Sequence, residues 1–161
     1  MPEFTQKYTI VHMLKDLPNG FEYSMKNWPL HVTIVDVFAV EGDLNSLLED
    51  LRKNLDSSNV SDSWVTEEGF FGDDKSVHVM LVKKTNELQN LHDTIVEVLE
   101  SYSVKFNSPQ YTGSGFKPHA TKQLNDSLKI GDAVKVNSVT LIDMFPDNDP
   151  YQRRVLGTIH F

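Results

Sequence analysis

The chain contains no cysteine. Disulfides, thiolate metal sites and cysteine nucleophiles are therefore excluded, and a reducing compartment is permitted. No eighteen apolar residues run together, and Met1 to Leu14 lacks a basic stretch followed by an uninterrupted apolar one. Neither a membrane span nor a secretory leader is expected, and the protein is read as cytoplasmic. A glycine-rich phosphate loop is missing as well. Positive charge is scarce, since 15 Lys plus Arg against 23 Asp plus Glu leave a net charge of −8. That balance repels long duplex nucleic acid, whereas a small phosphate ester or a strand end needs only local neutralisation. The remaining composition is ordinary for a globular protein: 161 residues, 39% hydrophobic and 24% charged. It suits one domain spanning residues 1–161, with about 70% of the extended chain's surface buried on folding.

Two short strings stand out against this background. Pro29-Leu30-His31-Val32-Thr33-Ile34 and Lys117-Pro118-His119-Ala120-Thr121-Lys122 each place a histidine two residues before a threonine, once in each half of the chain. In a β-strand, side chains at i and i+2 share a face, so each string presents an imidazole beside a hydroxyl. Imidazole titrates closest to neutrality, and two facing histidines can hold one proton between them as base and acid. A hydroxyl alongside can donate to a phosphoryl oxygen. This inventory suits displacement at phosphorus, where the nucleophile loses a proton and the leaving oxygen gains one.

Chance alone supplies roughly one His-x-[Ser/Thr] match in such a chain, so context decides. The third match, His92-Asp93-Thr94, lies in a helical pattern, where i and i+2 point about 200° apart, and it is set aside. The other two each follow a proline and a turn-rich loop.

The organisation expected around them mixes strands and helices. Tyr8 to Leu14 reads as a strand, followed by the turn signal Asp16 to Gly20, and Leu30 to Phe38 reads as a central strand. Leu44, Leu47, Leu48, Leu51 and Leu55 mark an amphipathic helix from Asp43, its N-cap, to about Asp56. Trp64 to Phe71 and Ser76 to Val82 form an expected hairpin through Gly72 to Lys75. Thr85 caps a second helix whose buried stripe is Leu88, Leu91, His92, Ile95 and Leu99. A loop from Asn107 to Pro118 leads to His119 and can close over a ligand. Val136 to Met144 and Arg153 to His160 read as final strands joined through Pro146 to Pro150. Paired strands adjacent in sequence favour an antiparallel α+β domain over a doubly wound parallel sheet.

These residues resemble the two-histidine (2H) phosphoesterase superfamily, which includes the 2′-5′ RNA ligase-like proteins and cyclic nucleotide phosphodiesterases. The two His-x-[Ser/Thr]-x motifs, half a chain apart, carry the resemblance, and the element order extends it over nearly the whole chain. It implies a bilobal α+β fold of pseudo-two-fold antiparallel sheets with flanking helices and a cleft between the sheets, one motif per lobe. It further implies action on 2′,3′-cyclic phosphates, 2′-5′ linkages or RNA ends, typically without metal. His31 and His119 are the expected catalytic pair, and Thr33 and Thr121 the expected phosphate-binding hydroxyls. One departure is Lys122, where an apolar residue is usual; it points to an edge strand more than to a phosphate contact.

Every candidate has a plainer reading beside it. Either motif alone reads as a buried strand histidine satisfied by a carbonyl. His12 and His78 read as structural strand residues and His160 as solvated. Trp28, Tyr111 and Phe116 adjoin the motifs and are candidates to stack on a base, though packing explains each equally well. Arg153, Arg154 and Lys75 read as surface charges. Neither motif has the close second ligand or acidic cluster of a metal site, so no metal and no cofactor are expected. The expected partner is a small nucleotide or an RNA end, with no membrane. A non-catalytic binding module on the same fold, or RNA ligation by the reverse reaction, are the alternatives.

Overall fold

The computed structural model describes residues 6–72, 74–123 and 126–161. The elements run β1 (Tyr8–Met13), β2 (Glu22–Ser24), β3 (His31–Ala39), α1 (Leu44–Asn54), β4 (Ser61–Phe71), β5 (Val77–Val82) and α2 (Asn86–Glu100). There follow β6 (Lys105–Phe106), β7 (His119–Thr121), β8 (Ala133–Val136), β9 (Ser138–Asp143) and β10 (Gln152–His160). They build a six-stranded sheet, β2-β10-β9-β1-β3-β6, and a four-stranded sheet, β7-β5-β4-β8. The pairings are antiparallel, as expected of this α+β class. One histidine motif sits in each sheet.

Local chemistry accounts for the helices. The Asp43 side chain accepts the Ser46 N–H at 3.1 Å, and Thr85 accepts the Leu88 N–H at 3.1 Å, so both expected caps form. Leu47, Leu48 and Leu51 of α1 face Leu88, Leu91, Ile95 and Leu99 of α2 in one core. That core also takes Val32 and Ile34 of β3 and Met80, Val82 and Ala120 of the second sheet. Burial of each such side chain is worth about 2 kcal/mol. Both motif strands are therefore fixed from behind by the same apolar mass, while the alternate residues His31, Thr33, His119 and Thr121 face away from it. A bulge in β10 places Gly157 under α1, where an added Cβ would lie 3.0 Å from a Leu48 methyl.

Some boundaries differ from the sequence reading. β4 begins at Ser61 rather than Trp64, and α1 ends at Asn54 before a short 3-10 turn at Ser57–Asn59. The run read as one strand from Val136 to Met144 is divided at Asn137. Its beginning belongs to β8, paired with β4 in the second sheet, and the rest is β9, paired with β1 and β10 in the first. β2 and β6 lie in stretches without a strand signal of their own; both are short and owe their pairing to β10 and β3. Asp73, in the turn expected between β4 and β5, lies outside the described residues, as do residues 1–5.

Candidate active site

Each motif holds its histidine with the same local device. The His31 Nδ1–H donates to the Pro29 carbonyl at 2.8 Å, and the His119 Nδ1–H donates to the Lys117 carbonyl at 2.7 Å. A carbonyl only accepts, so the hydrogen of each neutral ring resides on Nδ1 and leaves Nε2 bare. Among the described residues, nothing hydrogen-bonds either Nε2. The carbonyl lies two residues before the histidine in both cases, at the point where a proline-containing segment enters the strand. Repetition of this device in two lobes gives two imidazoles with the same tautomer and the same uncommitted atom.

The strands β3 and β7 approach one another across the divide between the sheets. Beside them opens a cavity of about 230 Å³. Thr33 and Asp36 line it from β3, Phe71 from the end of β4, and Tyr111, Phe116, Lys117 and His119 from the loop and strand of the second motif. His31 and Thr121 are not among its lining residues. His31 is only 7% exposed and packs against Trp28, with ring centroids 4.6 Å apart. His119 is half-buried, with Phe71 edge-on at 4.6 Å.

Burial sets the protonation of the pair. It pushes His31 down from 6.5 to about 4, outweighing the Pro29 carbonyl bond that favours the cation, and the His119 charge adds to the depression. Burial lowers His119 also, against the Lys117 carbonyl bond and the nearby Asp36 carboxylate, both of which favour its charged form. The His119 charge thus bears on His31, and the site distinguishes the two rings. His119 has the carboxylate.

The aromatic candidates are placed differently from one another. Tyr111 and Phe116 reach the cavity, Tyr111 exposed and Phe116 buried as its wall. Trp28 does not line it; its ring is committed between His31, Tyr23 and the Arg153 guanidinium, 5.5 Å from its centroid. Arg153 is a correction to the surface reading. It is 7% exposed, and its Nη1 donates to the carbonyls of Met144, Pro150 and Gln152, clipping the β9–β10 connection. Arg154 does stay at the surface, paired with Glu22 and Asp147. Sequence reasoning passed over Asp36, Phe71 and Lys117. An acidic residue within the apolar run of β3 was the available signal for Asp36; nothing marked Phe71.

The remaining histidines behave structurally. His12 is buried and its Nδ1–H donates to the Ser138 carbonyl at 2.9 Å. His78 stacks on Phe70 at 4.8 Å with Glu68 nearby, and His160 is exposed. Lys122 is exposed immediately after β7, which is an edge strand, as its place in the motif suggested. Among the described residues, no three His, Asp or Glu side chains come together in a way that could hold a metal ion, and no helix is long and apolar enough to cross a membrane.

Two antiparallel sheets, each contributing a His-x-Thr strand to one cleft, define the two-histidine phosphoesterase class. The model of the family described as the 2′-5′ RNA ligase superfamily matches residues 6–136, and the chain belongs to that superfamily. Among solved structures it is similar to TT0787 of Thermus thermophilus, with a TM-score of 0.59 and 13% identity, covering 96% of this chain and 97% of that one. It is similar also to E. coli LigT complexed with 3′-AMP (TM-score 0.57, 13% identity, 97% and 98% covered). LigT complexed with NADP+ gives 0.56 at 12% identity, with 97% of each chain covered. These likenesses speak for the fold. A search of curated protein sequences found no match.

Proposed function

We propose that the chain is a metal-independent phosphoesterase that hydrolyses 2′,3′-cyclic phosphates or 2′-5′ linkages of nucleotides or RNA ends, with His31 as base and His119 as acid. The observation that carries this reading is the pair of imidazoles anchored through Nδ1 with Nε2 uncommitted. The neutral His31 Nε2 accepts a proton from water as the water oxygen bonds to phosphorus. The bond from phosphorus to the leaving ribose oxygen breaks, and the His119 Nε2–H supplies that oxygen's proton. One water is added, and return of the proton from His31 to His119 through solvent resets the site.

The assignment of roles rests on the electrostatics. Burial lowers both rings, so neutrality at pH 7 does not choose the base; the choice falls on His31 because it has no carboxylate that would favour its cation. His119 has Asp36 to favour its cation, and an incoming phosphate adds negative charge beside it. Thr33, which lines the cavity, supplies a donor to the non-bridging oxygens; Thr121, which does not line it, takes the second donor role by its place in the matching motif; and Lys117 gives the cavity a local cation despite the −8 total. Tyr111 is the exposed ring available to a base. The nucleotides held by LigT, 3′-AMP, ATP and NADP+, are consistent with a nucleotide at this site.

The test is hydrolysis of 2′,3′-cyclic nucleotides and a 2′-5′-linked dinucleotide with chelator present, comparing the wild type with His31→Ala and His119→Ala. Acid and base help are each worth roughly 10²- to 10⁴-fold, and both variants are expected to lose at least the lower figure. Binding without turnover in the wild type would overturn the reading in favour of a nucleotide-binding module.

A further inference from the structure

The helix α2 carries a histidine that the proposed chemistry does not use. His92 is 0% exposed, yet both ring nitrogens are engaged. Its Nδ1–H donates to the Ile34 carbonyl at 2.7 Å, and its bare Nε2 accepts the Gly113 N–H at 3.1 Å. The ring lies flat on Phe116, with centroids 4.2 Å apart and planes 5° off parallel. Ile34 follows Thr33 in the first motif strand, whereas Gly113 and Phe116 belong to the loop that delivers the second. One imidazole therefore ties the two motifs together.

Packing alone does not call for a histidine here. A buried imidazole costs free energy unless both nitrogens are satisfied, and a leucine or phenylalanine would fill the same space without that demand. The polar ring is explained by two backbone groups that need partners. At Ile34, β3 has β1 on one side, while on the other its pairing with β6 is confined to Phe38 and Ala39. Gly113 starts a 3-10 turn, whose first N–H groups have no partner within the turn. Neighbouring side chains pin the same loop. Gln89 Nε2 donates to the Gly113 carbonyl at 2.9 Å, and Lys84 Nζ donates to the carbonyls of Ser114 and Phe116 at 3.3 and 3.1 Å.

We propose that His92 is a positioning residue, holding the Gly113–Lys117 segment through its Nε2 so that Phe116 and the adjoining Tyr111 form the nucleotide wall. This rests on the reading of the cleft as a nucleotide phosphoesterase site. His92 touches no substrate in it; its effect passes through the loop.

Two amide substitutions separate the halves of the tether. In His92→Gln the side-chain oxygen can stand at the Nε2 position and keep the Gly113 bond. In His92→Asn the side-chain NH₂ can stand at the Nδ1 position and keep the Ile34 bond while losing Gly113. Gly113 amide exchange, read by NMR on the protein without substrate, is expected to quicken roughly 3- to 10-fold in the Asn variant and to stay near wild type in the Gln variant. KM for 2′,3′-cyclic AMP should rise by a similar factor in the Asn variant alone, with kcat within about twofold. Lys84→Ala combined with Gln89→Ala loosens the loop from outside the core and should raise KM in the same direction, which keeps the test open if the Asn variant folds poorly. Equal losses in Asn and Gln, or a loosened loop with unchanged KM, would overturn the proposal. Because the exchange measurement needs no substrate, a wild type that turned over no nucleotide would sink the phosphoesterase reading while Gly113 still decided the tether.

Discussion

The two motifs share a hydrogen-bonding device but sit in unlike surroundings. His31 opens a nine-residue strand paired along its length with β1 and is sealed by Trp28, itself held by Tyr23 and the clipped Arg153. His119 opens a three-residue edge strand, approached by a loop that α2 must hold in place. The first mount is a buried histidine on a long, paired strand; the second is a half-buried one on a short edge strand. That difference teaches how a repeated motif yields unequal partners. The same imidazole and tautomer become a ring kept neutral in one lobe and a ring that a carboxylate helps to charge in the other.

The second mount is the easier one to break. Gly115 lies where an added Cβ would stand 1.9 Å from the Gln110 carbonyl oxygen, so Gly115→Ala must shift the loop backbone. Turnover is expected to fall about 100-fold through misplacement of the cavity wall and His119, with a smaller cost in thermal midpoint because only Phe116 of the shared core adjoins the shifted backbone. A comparable loss of midpoint would place the loop in the stabilising framework instead.

Hydroxyl deletions sharpen the contrast at smaller scale. Thr33 lines the cavity and Thr121 does not. Thr33→Val should therefore cost roughly 10-fold in kcat/KM and Thr121→Val less, and equal losses would mean that both lobes grip the phosphate alike.

Stability should fall on acidification, and the first lobe should account for much of it. His31 binds its proton only near 4 when folded but at 6.5 when unfolded, so between those values the unfolded chain holds more protons. Stability is therefore fully present above about 6.5 and is lost as pH drops toward 4, at about 1.4 kcal/mol per unit of depression. Burial of His12, His92 and His119 acts in the same direction. Denaturant titrations at pH 7 and pH 5 read this directly, and His31→Gln should flatten the dependence.

Much of this asymmetry was legible in the residues. The β-branched run after His31 announced a core strand, and Lys122 after Thr121 announced an edge. Leucine spacing and the Asp43 and Thr85 caps located both helices, because amphipathic periodicity and capping are local. The break at Asn137 was not legible, since β8 and β9 read as one apolar run and only pairing partners divide it. Arg153 was misjudged for a related reason: its three carbonyl partners converge through the β9–β10 connection, which sequence spacing does not reveal. Helical periodicity set His92 apart from the two strand motifs, and the structure places it on α2. Its tether between Ile34 and Gly113 spans contacts 58 and 21 residues apart and had no local signature.

The most direct measurement of the central claim, that two alike imidazoles are made unequal by their lobes, is an NMR titration of the His31 and His119 rings with and without 3′-AMP. His31 is expected to remain neutral down to about pH 4, and His119 to titrate at higher pH and move further upward when the nucleotide binds. Two rings that titrate together, or a His31 that takes the proton first, would contradict it.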